Sequence, residues 1–184
     1  MTTDFWGAVP VAGRGSLPFS LIHGEALVSS AALGLQSAGI DLIDASISWD
    51  QIQASGRGVL LHDPLCPLTP PEFLRDIALA TEHGICVAVR PVTDTVKRLD
   101  GDEVRETVDR SELVQVCSPI ALPATVVGEL ADWPRGSFEE IVEVLRARWP
   151  VQYVQAPPLA RRVDSEEAVA LLQALSESVA EQQD

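Results

Sequence analysis

Residues 59–72, VLLHDPLCPLTPPE, decide the fold. The stretch opens with a short apolar run, which is typical of a buried strand, and the run ends on Asp63. Thr69, Pro70 and Glu72 then predict a helix start: a threonine N-cap, a proline at the first helical position and the glutamate of a capping box. A buried strand followed by a loop and a helix is the repeating unit of an α/β protein.

The same alternation continues on both sides of this stretch. Gly39 and Gly84 follow two of the helical patterns, where a glycine commonly ends a helix. Either Asp164 or Ser165 caps the last helix. Short apolar strands alternating with helices predict one domain, residues 1–184, with helices on both faces of a mostly parallel sheet. The predicted strands are 5–11, 41–48, 59–62, 85–89, 114–116 and 151–154, and the predicted helices are 25–37, 69–83, 123–131, 137–148 and 165–180.

A hairpin is predicted between the strand at 85–89 and the strand at 114–116. Residues 92–99 and 103–108 have strand-forming patterns and flank Asp100-Gly101-Asp102, a compact turn sequence. We therefore expect a β-arm at about residues 92–110 that protrudes from the sheet.

Composition and charge exclude several classes of protein. The 184 residues carry a net charge of −14, so nucleic acid and anionic membranes are poor partners. No apolar run approaches the ~18 residues of a membrane helix. The first five residues lack the basic region of a signal peptide, and we expect a cytoplasmic protein.

The cysteines and histidines have no metal-ligand spacing. Cys66, Cys86 and Cys117 form no CxxC pair, and their number is odd. We expect small, reduced and mostly buried thiols rather than disulfides or a zinc site. His23, His62 and His83 are equally scattered along the chain.

Six segments carry a resemblance to a known family: 59–72, 9–15 (VPVAGRG), 23–28 (HGEALV), 91–98 (PVTDTVKR), 106–110 (ETVDR) and 118–119. Together they resemble the 2-C-methyl-D-erythritol 4-phosphate cytidylyltransferases of isoprenoid biosynthesis. The resemblance implies a dinucleotide-binding-like, three-layer α/β/α fold with a mixed, mostly parallel sheet. It also implies a β-arm that dimerises and completes the partner's active site. The implied reaction is attack of the sugar phosphate on the α-phosphate of CTP, with Mg²⁺ as cofactor.

The resemblance also implies site residues. Asp63 matches the family's magnesium-binding aspartate, and Arg162 stands at the position of a catalytic lysine. Gly13, Arg14 and Gly15 match the nucleotide-binding loop. The residues implied to bind the substrate phosphate are Thr95, Arg110 and Ser118.

Alternative roles remain open for three of these features. Asp63 could merely shape the turn before Pro64. The loop around Arg14 could be a tight strand-to-helix connection. Arg110 could pair with Asp109 or Glu112 and hold the arm.

Departures from the family favour a loss of catalysis. Leu17 replaces a lysine of the nucleotide loop, and Cys66 replaces a substrate-site arginine. Only about twenty residues span the region that contains the family's Gly-Gly-x-x-Arg segment, and Glu139-Glu140 stand where the family has a Thr-Asp-Asp run. Losing one electrostatic stabiliser commonly costs ~10²–10³ in rate.

The sequence thus leads to two main hypotheses. The first is a non-catalytic scaffold or regulatory partner that binds CTP and sugar phosphate poorly. It would dimerise through the arm, either with itself or with a true cytidylyltransferase. The alternative is an active methylerythritol phosphate cytidylyltransferase or a related sugar-phosphate nucleotidyltransferase. A small-molecule sensor is a third class that the sequence leaves open.

Overall fold

The computed structural model describes residues 4–93, 96–100, 103–110 and 113–181. Within these ranges the strands are β1 (Phe5–Ala8), β2 (Leu21–Ile22), β3 (Glu25–Ala26), β4 (Asp41–Leu42), β5 (Gly58–Leu61), β6 (Ile85–Pro91), β7 (Val96–Asp100), β8 (Glu103–Val108), β9 (Val114–Leu122) and β10 (Val151–Gln155). The α-helices are α1 (Leu27–Ser37), α2 (Trp49–Ala54), α3 (Pro71–Leu79), α4 (Ala124–Glu129), α5 (Phe138–Arg146) and α6 (Glu166–Glu181).

The central sheet has the strand order β10-β6-β9-β5-β1-β4 in the described part of the chain. The pairs β1–β4, β1–β5 and β6–β10 are parallel, whereas β9 runs antiparallel to both of its neighbours, β5 and β6. This is the mostly parallel, mixed sheet that the sequence predicted.

Helices cover both faces of this sheet, as the strand β5 illustrates. Leu60 packs with residues of α1 and α3, including Leu35 and Leu74. Val59 and Leu61 point to the other face and pack with α2, α4 and α5. Successive side chains of a strand alternate between faces, so a strand buried on both sides is apolar throughout. The three-layer α/β/α fold is confirmed.

The predicted hairpin is also confirmed. Strands β7 and β8 pair antiparallel, with Val96 opposite Val108 and Asp100 opposite Glu103. They form a two-stranded sheet that is separate from the central one.

Several predicted elements have other bounds in the structure. The strand predicted at 5–11 ends at Ala8, the strand predicted at 114–116 continues to Leu122, and the helix predicted at 25–37 begins at Leu27, after the short strand β3. The strand predicted at 41–48 ends at Leu42, because Asp44 accepts the Ser46 N–H at 2.6 Å and turns the chain. Ser48 then begins α2 with a complete capping box. At α3, Pro70 rather than Thr69 is the N-cap, since the Thr69 hydroxyl donates to the Cys66 carbonyl.

Chain connectivity creates a crevice at one edge of the sheet. From β1 the chain passes through α1 to β4, whereas from β5 it passes through α3 to β6, on the opposite side. Since β1 and β5 are adjacent, the loops that follow them diverge. Ligands of open α/β sheets bind outside the carboxyl ends of strands at such a point.

No helix in the described ranges is both long and apolar enough to cross a membrane.

Candidate active site

Asp63 follows β5 and lies at the centre of this crevice. Its Oδ1 accepts hydrogen bonds from Arg14 Nε at 2.8 Å and from the Leu65 N–H at 3.0 Å. Its Oδ2 faces Arg162 Nε at 3.4 Å. Only 3% of the residue is exposed. A buried carboxylate must be paired to be stable, and two arginines from distant parts of the chain pair this one.

The Arg14 side chain turns inward. Gly13 and Gly15 have positive φ angles of 78° and 60°, so they form a tight turn on either side of it. Its Nη1 donates to the Ala12 carbonyl at 2.8 Å, and its guanidinium lies 5.5 Å from the centre of the Phe138 ring. The side chain is only 6% exposed. Arg14, the one cation of the predicted nucleotide-binding loop at 13–15, is therefore paired with Asp63.

Arg162 approaches Asp63 from the segment that precedes α6. The Val163 N–H donates to the Leu65 carbonyl at 2.8 Å, which holds this segment beside the loop after β5. The Arg162 side chain is 37% exposed, so it keeps one side open to solvent. The structure thus brings together Asp63, Arg14 and Arg162, three of the predicted site residues.

A cavity of about 390 Å³ opens over these residues. The N-terminal end of α5, with Ser137, Phe138 and Glu139, forms one wall. Glu140 also lines the cavity, and its carboxylate accepts the Ser137 N–H in a capping box. The charged lining residues are two arginines and three acids, which gives a net charge of one negative. A triphosphate would meet net repulsion here. The lining residues are Ala12, Gly13, Arg14, Asp63, Val116, Cys117, Gly136, Ser137, Phe138, Glu139, Glu140 and Arg162.

Ser118 faces the protein interior. It is 1% exposed, and its Oγ accepts the Asp63 N–H at 2.8 Å and lies 2.6 Å from His62 Nδ1. It is not among the residues that line the cavity. Ser118 therefore stabilises the backbone at Asp63 and the buried His62 ring. Its role in substrate binding stays a prediction.

His62 is a buried residue whose importance the sequence did not reveal. Burial lowers the pKa of His62 to about 4, and the Asp63 charge opposes this shift. The imidazole is therefore neutral at neutral pH, and within the described residues its Nε2 has no hydrogen-bond partner. Its place at the end of a buried strand, directly before Asp63, was the available clue.

Of the predicted arm residues, Arg110 lies within the described part of the chain. Arg110 is exposed and donates to the Thr93 carbonyl at the base of the arm. It does not line the Asp63 cavity. Thr95 and Glu112 lie outside the described residues, so the predictions that involve them are untested.

The donors present do not fit a magnesium ion. Mg²⁺ prefers oxygen ligands in octahedral geometry, but both oxygens of Asp63 face arginine nitrogens. In the described part of the chain, no group of three or more His, Cys, Asp or Glu residues could hold a metal ion. The three cysteines are buried as expected, and burial raises the pKa of the Cys66 and Cys117 thiols. Asp63 is thus paired with two arginines rather than open to a metal ion.

Comparisons with known proteins agree on one family. The profile described as "IspD: 2-C-methyl-D-erythritol 4-phosphate cytidylyltransferase" matches residues 45–132. A protein of that name from Saccharopolyspora erythraea is 30% identical over 188 residues, covering 72% of this chain and 84% of the relative. Another, from Synechococcus sp., is 31% identical and covers 58% of this chain and 51% of the relative.

Solved structures show the same fold. The 2-C-methyl-D-erythritol 4-phosphate cytidylyltransferase of Thermus thermophilus has a TM-score of 0.67 at 17% identity, covering 96% of this chain and 100% of that one. The 4-diphosphocytidyl-2C-methyl-D-erythritol synthase of Anaerococcus prevotii has a TM-score of 0.66 at 15% identity, covering 94% and 98%.

Proposed function

Because this chain belongs to the 2-C-methyl-D-erythritol 4-phosphate cytidylyltransferase family, we propose that it keeps the family fold without the family reaction. In this proposal it acts as a scaffold or regulatory partner. The observation that carries the proposal is the pairing of Asp63 with Arg14 and Arg162.

This pairing opposes metal binding at Asp63. A divalent ion would have to displace Arg14 from Oδ1, and the Arg14 side chain is only 6% exposed. Separating a buried ion pair commonly costs about 3–5 kcal/mol, because a charge is left without a partner. The net negative charge of the cavity adds to this cost for any polyphosphate.

Substitutions in the nucleotide loop and in the substrate site also favour a loss of catalysis. Leu17 is an apolar residue where the family has a lysine, and Cys66 is a buried thiol where the family has an arginine. Neither can neutralise phosphate charge. Since each lost stabiliser commonly costs ~10²–10³ in rate, several losses together leave little catalysis.

Dimerisation through the β-arm completes the proposal. The arm, β7 and β8, pairs with itself rather than with the central sheet, which leaves it available to a partner. The partner would be a second copy or a true cytidylyltransferase, in the cytoplasm. Sedimentation equilibrium should give about twice 19.8 kDa for a homodimer. If the protein has the mass of a monomer and also fails to co-purify with a true cytidylyltransferase, this part of the proposal is contradicted.

The main test is a calorimetric titration with CTP and Mg²⁺ at millimolar concentrations. A ligand at 100 times its dissociation constant stabilises the folded state by about 2.7 kcal/mol, so even weak binding is measurable as a thermal shift. We expect neither heat nor shift, with an active family member as the positive control. Saturable CTP binding that requires Mg²⁺ would overturn the non-catalytic role.

An active enzyme is the second candidate. It is favoured by the grouping of Gly13, Asp63 and Arg162 around one cavity and by the relative that matches over 84% of its length. The test is pyrophosphate release from CTP and methylerythritol phosphate with Mg²⁺. If the chain is active, Asp63→Ala abolishes release and Asp76→Ala, an exposed change on α3, does not.

A further inference from the structure

A smaller cavity, of about 310 Å³, lies between α5 and the loop that joins α4 to α5. Ile141, Val144 and Leu145 form the helix wall, because residues three and four apart share one face of a helix. The loop at 130–135 forms the opposite wall, which includes the ring of Trp133. Val144 is 66% exposed although it belongs to an apolar wall. A concave, mostly apolar surface with a few polar groups is the usual form of a small-molecule site.

Contacts with α2 fix the loop wall of this cavity. The Leu130 carbonyl accepts hydrogen bonds from Trp49 Nε1 at 3.3 Å and from Gln53 Nε2 at 2.9 Å. The rings of Trp49 and Trp133 meet edge to face, with their centres 5.3 Å apart. Both walls are therefore in place before a ligand binds, which lowers the entropic cost of binding.

The cavity carries positive charge in an acidic protein. Its charged lining residues are Arg135, Arg148 and Asp132, which gives a net charge of one positive, whereas the whole chain carries −14. Asp132 and Arg135 pair with each other at 3.6 Å, and both side chains are mostly exposed, so this interaction is weak. The charge of the cavity complements an anionic ligand.

Arg148 is the cation available to such a ligand. Its guanidinium lies 4.4 Å from the centre of the Trp149 ring, which supports it. Glu129 accepts a hydrogen bond from that indole at 3.3 Å. Among the described residues, the Arg148 side chain makes neither an ion pair nor a hydrogen bond. A guanidinium binds a carboxylate through two parallel hydrogen bonds, so Arg148 can hold the head of a ligand whose body contacts the apolar walls.

We propose that this cavity binds a small amphipathic carboxylate, such as a short fatty acid, with its carboxylate on Arg148 and its chain against Val144 and Trp133. Small-molecule sites have volumes of about 300–1,000 Å³, and this cavity lies at the lower end, so the chain is short. A polyphosphate does not fit, because one unpaired arginine cannot neutralise it. The site adds ligand binding to the proposed scaffold role and does not depend on that role.

The experiment is calorimetric titration of the full chain with octanoate. We expect saturable, one-to-one binding. Octan-1-ol, which has the same chain without the charge, should bind at least tenfold more weakly. Arg148→Gln should weaken octanoate binding about tenfold. Arg146→Gln is the matched control: Arg146 pairs with Glu143 and does not line the cavity, so its removal should leave the affinity unchanged.

A second variant tests the helix wall. Val144→Glu places a negative charge at an exposed position, so the fold should persist by circular dichroism while octanoate binding weakens at least tenfold. Leu171→Glu, at an exposed leucine of α6 outside the cavity, should bind octanoate normally.

Two results would overturn the proposal. Absence of saturable heat from octanoate, or equal affinity of wild type and Arg148→Gln, would remove the site. Equal affinity for octanoate and octan-1-ol would remove the carboxylate as the recognised group. Among the described residues this cavity shares no lining residue with the Asp63 cavity, on which the CTP titration reports, so the two proposals can fail separately.

Discussion

The Nε atom of Arg14 lies 2.8 Å from Oδ1 of Asp63, and both side chains are almost fully buried. The positive charge that neutralises this carboxylate is therefore part of the chain itself. A site with an internal counter-ion has less need of a metal ion, and this relationship underlies the proposed loss of catalysis.

Arg14→Ala should destabilise the protein by about 3 kcal/mol, because Asp63 loses its shorter ion pair while it remains buried. Urea denaturation followed by circular dichroism measures the change. Arg146→Ala serves as the matched control, since Arg146 pairs with Glu143 on the exposed face of α5 and its removal should leave the midpoint unchanged. Equal effects of the two variants would show that the buried pair is not stabilising.

Stability should fall between pH 6.5 and pH 4 because of His62. The folded protein keeps His62 neutral, since burial lowers the pKa of its imidazole from 6.5 to about 4. In this window the unfolded chain binds a proton that the folded chain does not, so acidification favours unfolding. The contribution lost by pH 4 is about 3 kcal/mol.

The comparison of wild type with His62→Asn isolates this effect from the carboxylates that also titrate. Urea midpoints measured at intervals of pH should fall less steeply for the variant. Parallel pH profiles of the two proteins would mean that His62 does not titrate differently on unfolding.

Ser118→Ala should destabilise the protein by about 2 kcal/mol. The change removes the oxygen that accepts the Asp63 N–H and pairs with His62 Nδ1, and it leaves two buried polar groups without a partner. Thermal unfolding measures the loss. Ser178→Ala, on the exposed face of α6, should have little effect. A Ser118→Ala protein of wild-type stability would instead favour the substrate-binding role that the sequence predicted.

Gly84→Ala should destabilise the fold by about 2 kcal/mol, because Gly84 has φ 131° and an added Cβ would lie 2.4 Å from the Pro150 carbonyl oxygen. Gly128→Ala is the control: an added Cβ in α4 meets nothing within 4 Å, and alanine favours the helix by roughly 0.5–1 kcal/mol. Chemical denaturation should therefore shift in opposite directions for the two variants. A shift in the same direction would contradict the backbone geometry at Gly84.

Local patterns predicted most of the elements, and the misses also have local causes. The capping box of α5 at Ser137 was predicted and is present. An equivalent capping box at Ser48 and Gln51 begins α2, although a strand is predicted over 41–48. At Thr69, the hydroxyl bonds to a nearby carbonyl instead of capping the helix.

The sequence by itself determined the layered α/β/α fold and the arm, because apolar periodicity and turn residues act over short stretches of chain. The tertiary structure decided what the site residues do. Arg14 and Arg162 meet Asp63 across 49 and 99 residues, and Ser118 reaches His62 across 56. Those contacts depend on which strands are neighbours and on how closely the loops pack, and no local pattern encodes the direction in which a buried side chain turns.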